Sequence, residues 1–461
     1  MHLPPALASI LTIGFIVFLF RRDIREKPDI TAALWLPVFW MLLIGSRFVS
    51  QWLSLLGVSM GAVSLEEGSP LDALVFFVLI AGGLYILNQR QASLGSLVRS
   101  NAWITFFLLY CFVSIAWSDF PFVAFKRWIK VLGHPIMALV LLSEPDPEEA
   151  VTRLVKRCAY VLVPVSILFI KYYPALGRGF NAWGESTNTG VTTNKNELGY
   201  VCLVLGFFFV WHVLKTLRAG PGTARRGDLI LSAGFLIMIA WLLKSAHSST
   251  SLVSLLVGVL VVIFLGSPFV NKRFIGTYLV VGVLALLSAE LVFGIYAHTI
   301  ELLGKDPTLT DRTLVWRELL NVQVNPILGA GFESFWLGPR LEKLWDIYWW
   351  HPNQAHNGYL ETYLDLGLAG LLLLMGLFIT TFWKSRLELL KSFELGRFRL
   401  GFLAAVVVYN WTEASFKALH LVWFVFYIVA IDYPKFRFEP VKDLPREAFE
   451  EEPGELVCER V

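Results

Sequence analysis

Residues 229–266 read LILSAGFLIMIAWLLKSAHSSTSLVSLLVGVLVVIFLG. Two apolar runs, 229–243 and 250–266, are joined by a short polar link, KSAHSST at 244–250. Neither run carries a charge. A helix at a protein–water surface would show a polar stripe every three or four residues; these are apolar all round, which suits helices buried in protein or lipid. A span needs about 20 mainly apolar residues, so the pair predicts two membrane helices folded back on a tight polar turn.

The same pattern recurs along the whole chain. Spans are expected at 3–20, 29–46, 71–87, 102–117, 128–142, 158–171, 197–214, 229–243, 250–266, 274–297, 358–383, 400–412 and 419–432. The last two are short enough to be one re-entrant hairpin, so the expected count is 12 or 13. The expectation is an all-α, polytopic integral-membrane bundle of about 12 transmembrane helices, with a membrane domain over 1–432. Composition agrees: of 461 residues 56% are apolar and 16% charged, against about 25% charged in soluble proteins. A disordered chain would be biased the other way. Met1–Phe20 has no charged stretch before its apolar run and is expected to be the first span rather than a cleaved leader. A net charge of +3 gives no reason to expect nucleic acid. Of four cysteines, Cys111, Cys158 and Cys202 sit in apolar runs and Cys458 in the tail; with no CxxC pair, neither a disulfide framework nor structural zinc is expected.

Orientation follows from basic residues. Arg21–Pro28, Arg90–Asn101, Glu144–Arg157, Lys215–Asp228, Asn271–Arg273, Lys384–Arg399 and the tail after Tyr433 hold 25 of the 39 Lys and Arg. Positive charge marks the cytoplasmic side, so the alternating, charge-poor set faces outward. Residues 433–461, acidic and Pro-containing, are expected to be a disordered cytoplasmic tail. No repeat of halves is visible, which disfavours an inverted-repeat transporter.

Three outward segments differ from the rest: 171–196, the 244–250 link, and a long loop of about 298–357 containing Trp316, Trp336, Trp345, Trp349 and Trp350. A long loop among short ones is usually functional. Its indoles suit the membrane interface, and flat faces also suit sugar rings. It ends in HNGYLETYLDLGLAG, His356–Gly370. A His at a helix mouth can take a proton near neutral pH, and Asn357 beside it can orient a hydroxyl. His351 is a rival base. Gly367 and Gly370 permit close helix approach. Glu361 and Asp365, four apart, share one helix face just inside the expected span and are either turned to a cavity or solvated at the helix mouth.

His-Asn, nine residues, then Gly-x-x-Gly resembles the signature of the O-antigen ligase and Wzy-type polysaccharide polymerase family. Asp311-Arg312 with Trp316, then Pro326, Gly329-x-Gly331-Phe332 and Phe335, is similar to the family's run before that His. Gly190-x-x-Thr193-Asn194-Lys195-Asn196-x-Leu198-Gly199 is similar to its loop-to-span motif, in the Lys-Asn form associated with exopolysaccharide polymerases. Tyr409-Asn410-x-Thr412-Glu413 resembles its last outer hairpin. Together these cover about 171–430; the first 170 residues resemble the family mainly in span pattern.

The resemblance implies transfer of an undecaprenyl-diphosphate-linked glycan to an acceptor hydroxyl on the outer face of the bacterial cytoplasmic membrane, with no nucleotide, metal or other cofactor. The partners it implies are that glycan donor, a glycan or lipid acceptor and membrane lipids, with room for other polysaccharide-assembly proteins. A lipid diphosphate leaving group needs cations and the acceptor needs a base. His356 is the expected base; Arg312, Arg178, Lys195 and Lys244 are candidate phosphate cations; Asn196, Asn357 and Glu413 are candidate substrate contacts. In the KSAHSST link an Arg is expected of many members, and Lys244 stands there instead. Polymerisation of repeat units is favoured by the Lys-Asn motif, with ligation of a glycan to lipid A–core as the alternative. A carrier or flippase for lipid-linked sugars is the reading from another class; it would want charges at mid-span, and Glu290 is one of few.

Overall fold

A computed structural model describes residues 3–26, 28–58, 68–181, 183–218, 222–293 and 312–433. The helices are α1 (Pro5–Arg25), α2 (Trp35–Ile44), α3 (Val49–Leu55), α4 (Pro70–Gln89), α5 (Leu94–Ser100), α6 (Ala102–Val113), α7 (Pro121–Leu142), α8 (Pro147–Tyr172) and the single turn α9 (Pro174–Gly177). After a two-stranded hairpin, β1 (Arg178–Phe180) and β2 (Ser186–Asn188), come α10 (Lys195–Arg218), α11 (Thr223–Ala246), α12 (Ser249–Gly266), α13 (Ile275–Phe293), α14 (Arg312–Asn321), α15 (Gly338–Ile347), α16 (Gly358–Lys391), α17 (Phe393–Thr412) and α18 (Leu421–Ala430). The antiparallel register of the hairpin pairs Arg178 with Asn188 and Phe180 with Ser186.

Among the described residues each expected span overlaps a helix, and apart from that hairpin the chain is an all-α integral membrane protein. Among the described residues five helices, α4, α10, α11, α12 and α16, are long and apolar enough to cross a membrane, and two bent pairs bring the number to as many as seven. The expected tail beyond Tyr433, residues 294–297 of one expected span, the first part of the long loop at 298–311, and Cys458 lie outside the described residues.

Helix starts differ most from expectation. The segment 144–157, expected as a cytoplasmic loop, is helical from Pro147. Asp146 caps the helix by accepting from the backbone N–H of Glu148 and Glu149, and Pro occupies the first turn. Arg153, Lys156 and Arg157 are thereby buried, and each is paired: Arg153 and Arg157 share Asp23 of α1 at 2.8 Å, and Lys156 meets Asp228 at 2.7 Å. Burying a cation is tolerable only with such a partner. The basic segments thus gather at one end of the bundle, where Arg218 also pairs with Glu394 and Arg90 with Glu144.

At the centre lies α18, all ten of whose residues are buried, Trp423 and Phe426 among them. It is apolar throughout because protein surrounds it on every side. Beside it runs α17, which α12 approaches closely at facing glycines: a Cβ on either Gly258 or Gly401 would lie 3.0 Å from the carbonyl oxygen of the other.

Candidate active site at the loop end of the bundle

The end opposite the ion-paired segments carries the three outer loops, each aimed by local structure. Asn194 Oδ1 accepts the backbone N–H of Asn196 and Glu197 at 3.0 Å, capping α10 and presenting Lys195 and Asn196 on its first turn. Asn410 Oδ1 accepts the Ser415 N–H at 2.8 Å, which folds the 410–415 turn and turns Glu413 inward. The Gly358 N–H donates to the Glu413 carbonyl at 2.9 Å, joining that turn to the start of α16.

Four residues singled out in the sequence meet here. Glu413, 6% exposed, accepts on Oε1 from Arg312 at 3.0 Å and from Asn196 Nδ2 at 3.1 Å, while its Oε2 lies 3.1 Å from His356 Nδ1. Arg312 also donates to the Thr412 carbonyl. Burial alone would raise the Glu413 carboxyl, but His356 and Arg312 outweigh it and hold the carboxyl at about 2. Glu413 is therefore a carboxylate at neutral pH. A carboxylate beside Nδ1 takes the hydrogen there, which leaves His356 Nε2 as the basic nitrogen. Gln354 Nε2, 3.3 Å from the same Nδ1, is then a neighbour rather than its donor.

His356 and Glu413 line a cavity of about 460 Å³, together with Lys195, Asn196, Trp350, His351, Lys417 and His420. It is large enough for a bound small molecule or headgroup. Among the described residues six non-glycine residues have positive φ; three of them, His351 (49°), His356 (50°) and Leu419 (59°), border this cavity. Strained backbone of this kind clusters at functional sites.

The remaining expectations divide. Arg312 is committed to Glu413 and Thr412 and does not line the cavity. Asn357 spends its side-chain oxygen capping α16, accepting from Tyr359 and Leu360 N–H at 3.0 Å. Arg178 is exposed and donates to the Ile170 carbonyl at 3.2 Å, and Lys244 is exposed at the end of α11; neither lines the cavity. Lys417, which does, was not singled out in the sequence. Its Nζ donates to Gln354 Oε1 at 2.7 Å, and the only cue was a lysine four residues beyond Glu413.

The glycines of the long loop have a specific use. Gly367 breaks α16 with φ 64°, freeing the Leu364 and Asp365 carbonyls to accept from the Ala330 and Gly331 N–H at 2.9 and 2.8 Å. A Cβ on Gly329 would lie 2.4 Å from the Asp365 carbonyl, and one on Gly367 2.2 Å from the Ile327 oxygen. Glu361 and Asp365 turn inward and fasten the same loop. Glu361 accepts from Trp336 Nε1 (2.7 Å) and Ala355 N–H (2.6 Å), and Asp365 from Ser334 (3.1 Å) and Phe335 (3.0 Å) N–H. Trp316 donates to the Ala355 carbonyl, while Trp183 of the hairpin stacks on Trp350.

With this geometry in view, residues 233–375 match the O-antigen ligase family. The chain resembles that family over this stretch. It is also 26% identical over 321 residues to the exopolysaccharide production protein ExoQ of Rhizobium meliloti (strain 1021), a match covering 67% of this chain and 70% of that protein. The O-antigen ligase stretch includes Arg312 and His356, whereas Asn196 and Glu413, which complete the cluster, lie to either side of it. Both similarities support an O-antigen ligase or polymerase-type role in polysaccharide assembly.

Proposed function

We propose that this protein transfers a glycan from undecaprenyl diphosphate to an acceptor hydroxyl on the outer face of the bacterial cytoplasmic membrane, joining repeat units of an exopolysaccharide. The observation that carries the reading is Glu413, buried and ionised, held between His356 and Arg312 at the wall of one cavity. His356 Nε2 is the general base for the acceptor hydroxyl, Glu413 fixes its tautomer, and Arg312 with Asn196 fixes Glu413. The two lysines lining the cavity, Lys195 and Lys417, stabilise charge on the departing diphosphate. Arg178 and Lys244 would reach it only after a rearrangement. Asn357 contributes by setting the helix start that presents His356.

In this proposal the membrane domain spans 1–432 through about 12 helices, the long loop of about 298–357 faces the periplasm, and the reaction needs no metal. Polymerisation is preferred to ligation because the relative is an exopolysaccharide production protein and the Lys195-Asn196 motif points the same way. The test is deletion of the gene with complementation by His356→Ala. Loss of polymer length with lipid-linked single units retained supports polymerisation, and loss of attachment with chain length retained supports ligation. Unchanged product at normal membrane levels overturns the role of His356.

A further inference from the structure

A second, smaller cavity of about 160 Å³ adjoins the first, and the two share Asn353, Gln354, Ala414 and Lys417 as a common wall. Its lining combines the acidic side chains of Glu333, Glu361 and Asp365 and the cations Arg127 and Lys417 with the faces of Phe107, Trp336 and Phe416. Both Glu361 oxygens and one of Asp365 are occupied by loop N–H groups; the other Asp365 oxygen has no protein partner among the described residues. Glu333 also has one oxygen engaged, by the Ala418 N–H at 2.6 Å, and holds a left-handed backbone with φ 46°.

Such a lining discriminates among occupants. A lipid chain would strand the carboxylates without partners. An anionic headgroup would face three acidic side chains, and the two cations of the lining, Arg127 and Lys417, already donate to the Glu333 carbonyl and to Gln354. Among the described residues no cluster of His, Cys, Asp and Glu is arranged to hold a metal ion. The space corresponds to about five waters at ~30 Å³ each, enough for one sugar ring and too little for an oligosaccharide. Carboxylates accept from ring hydroxyls, and aromatic faces pack against the ring's apolar side.

Resting on the transferase reading, we propose that this cavity is the acceptor subsite and seats the terminal sugar of the acceptor glycan. Its hydroxyl is presented past the Gln354–Lys417 wall to His356. The hydroxyl oxygen bonds to the donor's anomeric carbon as the bond from that carbon to the diphosphate oxygen breaks. The proton passes to His356 Nε2, and the lipid diphosphate leaves with the electron pair.

The test uses full-length protein in nanodiscs and, as probe, free repeat-unit oligosaccharide released from the lipid-linked donor by mild acid. Leu341→Trp fills the cavity from its wall. Asp365→Asn removes one acceptor oxygen yet keeps an oxygen for the Ser334 and Phe335 N–H. Each is expected to weaken oligosaccharide binding and raise the acceptor KM at least tenfold, with donor KM within twofold. Binding without donor is measured on His356→Ala as well. Retained binding there and loss in Leu341→Trp supports the subsite even if the base assignment fails. Unaltered binding and acceptor KM in both cavity variants means a water-filled structural cavity and overturns the proposal, as does an equal loss of donor and acceptor affinity.

Discussion

Glu413 loses its solvent yet keeps its charge, because His356 and Arg312 together outweigh the cost of burial. Its carboxyl, at about 2 rather than the ordinary 4.5, contributes stability that is complete above about pH 4.5 and lost as the pH falls toward 2. Removing that charge with Glu413→Gln therefore costs on the order of 3 kcal/mol at pH 7. The difference from wild type shrinks on acidification, as thermal unfolding in detergent at pH 7 and pH 3 would measure. The same variant lowers turnover at least about tenfold, because the amide no longer fixes which imidazole nitrogen is basic. Asn357 separates two roles that its sequence position leaves open. If it acts as a helix cap, Asn357→Asp keeps activity near wild type and Asn357→Ala loses about 1 kcal/mol of stability. If its amide nitrogen orients a hydroxyl, Asp fails as badly as Ala in the transfer assay.

At the scale of elements, the break in α16 is what lets a loop be part of the site. The Gly329–Gly331 turn docks against the carbonyls released at Gly367, and that docking carries Glu333 and Trp336 to the cavity wall. Gly329→Ala or Gly367→Ala meets both a positive φ and a backbone clash, so each is expected to cost more than the roughly 1–3 kcal/mol of backbone strain alone. The readout is loss of monodisperse protein after membrane extraction, while Gly14→Ala, with open space around it, behaves as wild type. The sequence made these glycines visible as a pattern, and it suggested helix–helix contact. It could not reveal a helix break, because LGLAG at 366–370 is apolar and period-free on either reading. Asn196, Arg312, His356 and Glu413 were legible because rare polar residues at loop ends stand out against apolar spans. Lys417 was not, since one more lysine in an outer turn is indistinguishable from a solvated one until Gln354 and the cavity are placed. Arg178 and Lys244 look equally good as letters and diverge only in where their helix ends and strands send them.

Over the whole molecule, the alternation of basic and charge-poor segments corresponds to two physical ends. Arg153, Arg157, Lys156 and Arg218 are knitted by ion pairs at one, and the Glu413 cluster lies at the other. Sidedness is testable with cysteines placed at exposed positions in a Cys458→Ser background, the remaining cysteines being buried. Phe180→Cys, on the hairpin by the cavity and 80% exposed, should react with an impermeant maleimide on intact spheroplasts. Phe269→Cys, at the basic end and 94% exposed, should react only after permeabilisation. The reverse pattern would put the site on the wrong face for a lipid-linked glycan delivered outside. In the proposed mechanism the Glu413-held His356 makes this chain a transferase in its own right. It is tested most directly by purified protein reconstituted with undecaprenyl-diphosphate glycan, without nucleotide or ion gradient and with EDTA present. Wild type is expected to lengthen the glycan, and His356→Ala, inserted at equal levels, to fall at least about a hundredfold. Full activity in His356→Ala, or movement of the lipid-linked glycan across the bilayer with no new glycosidic bond, would contradict the account.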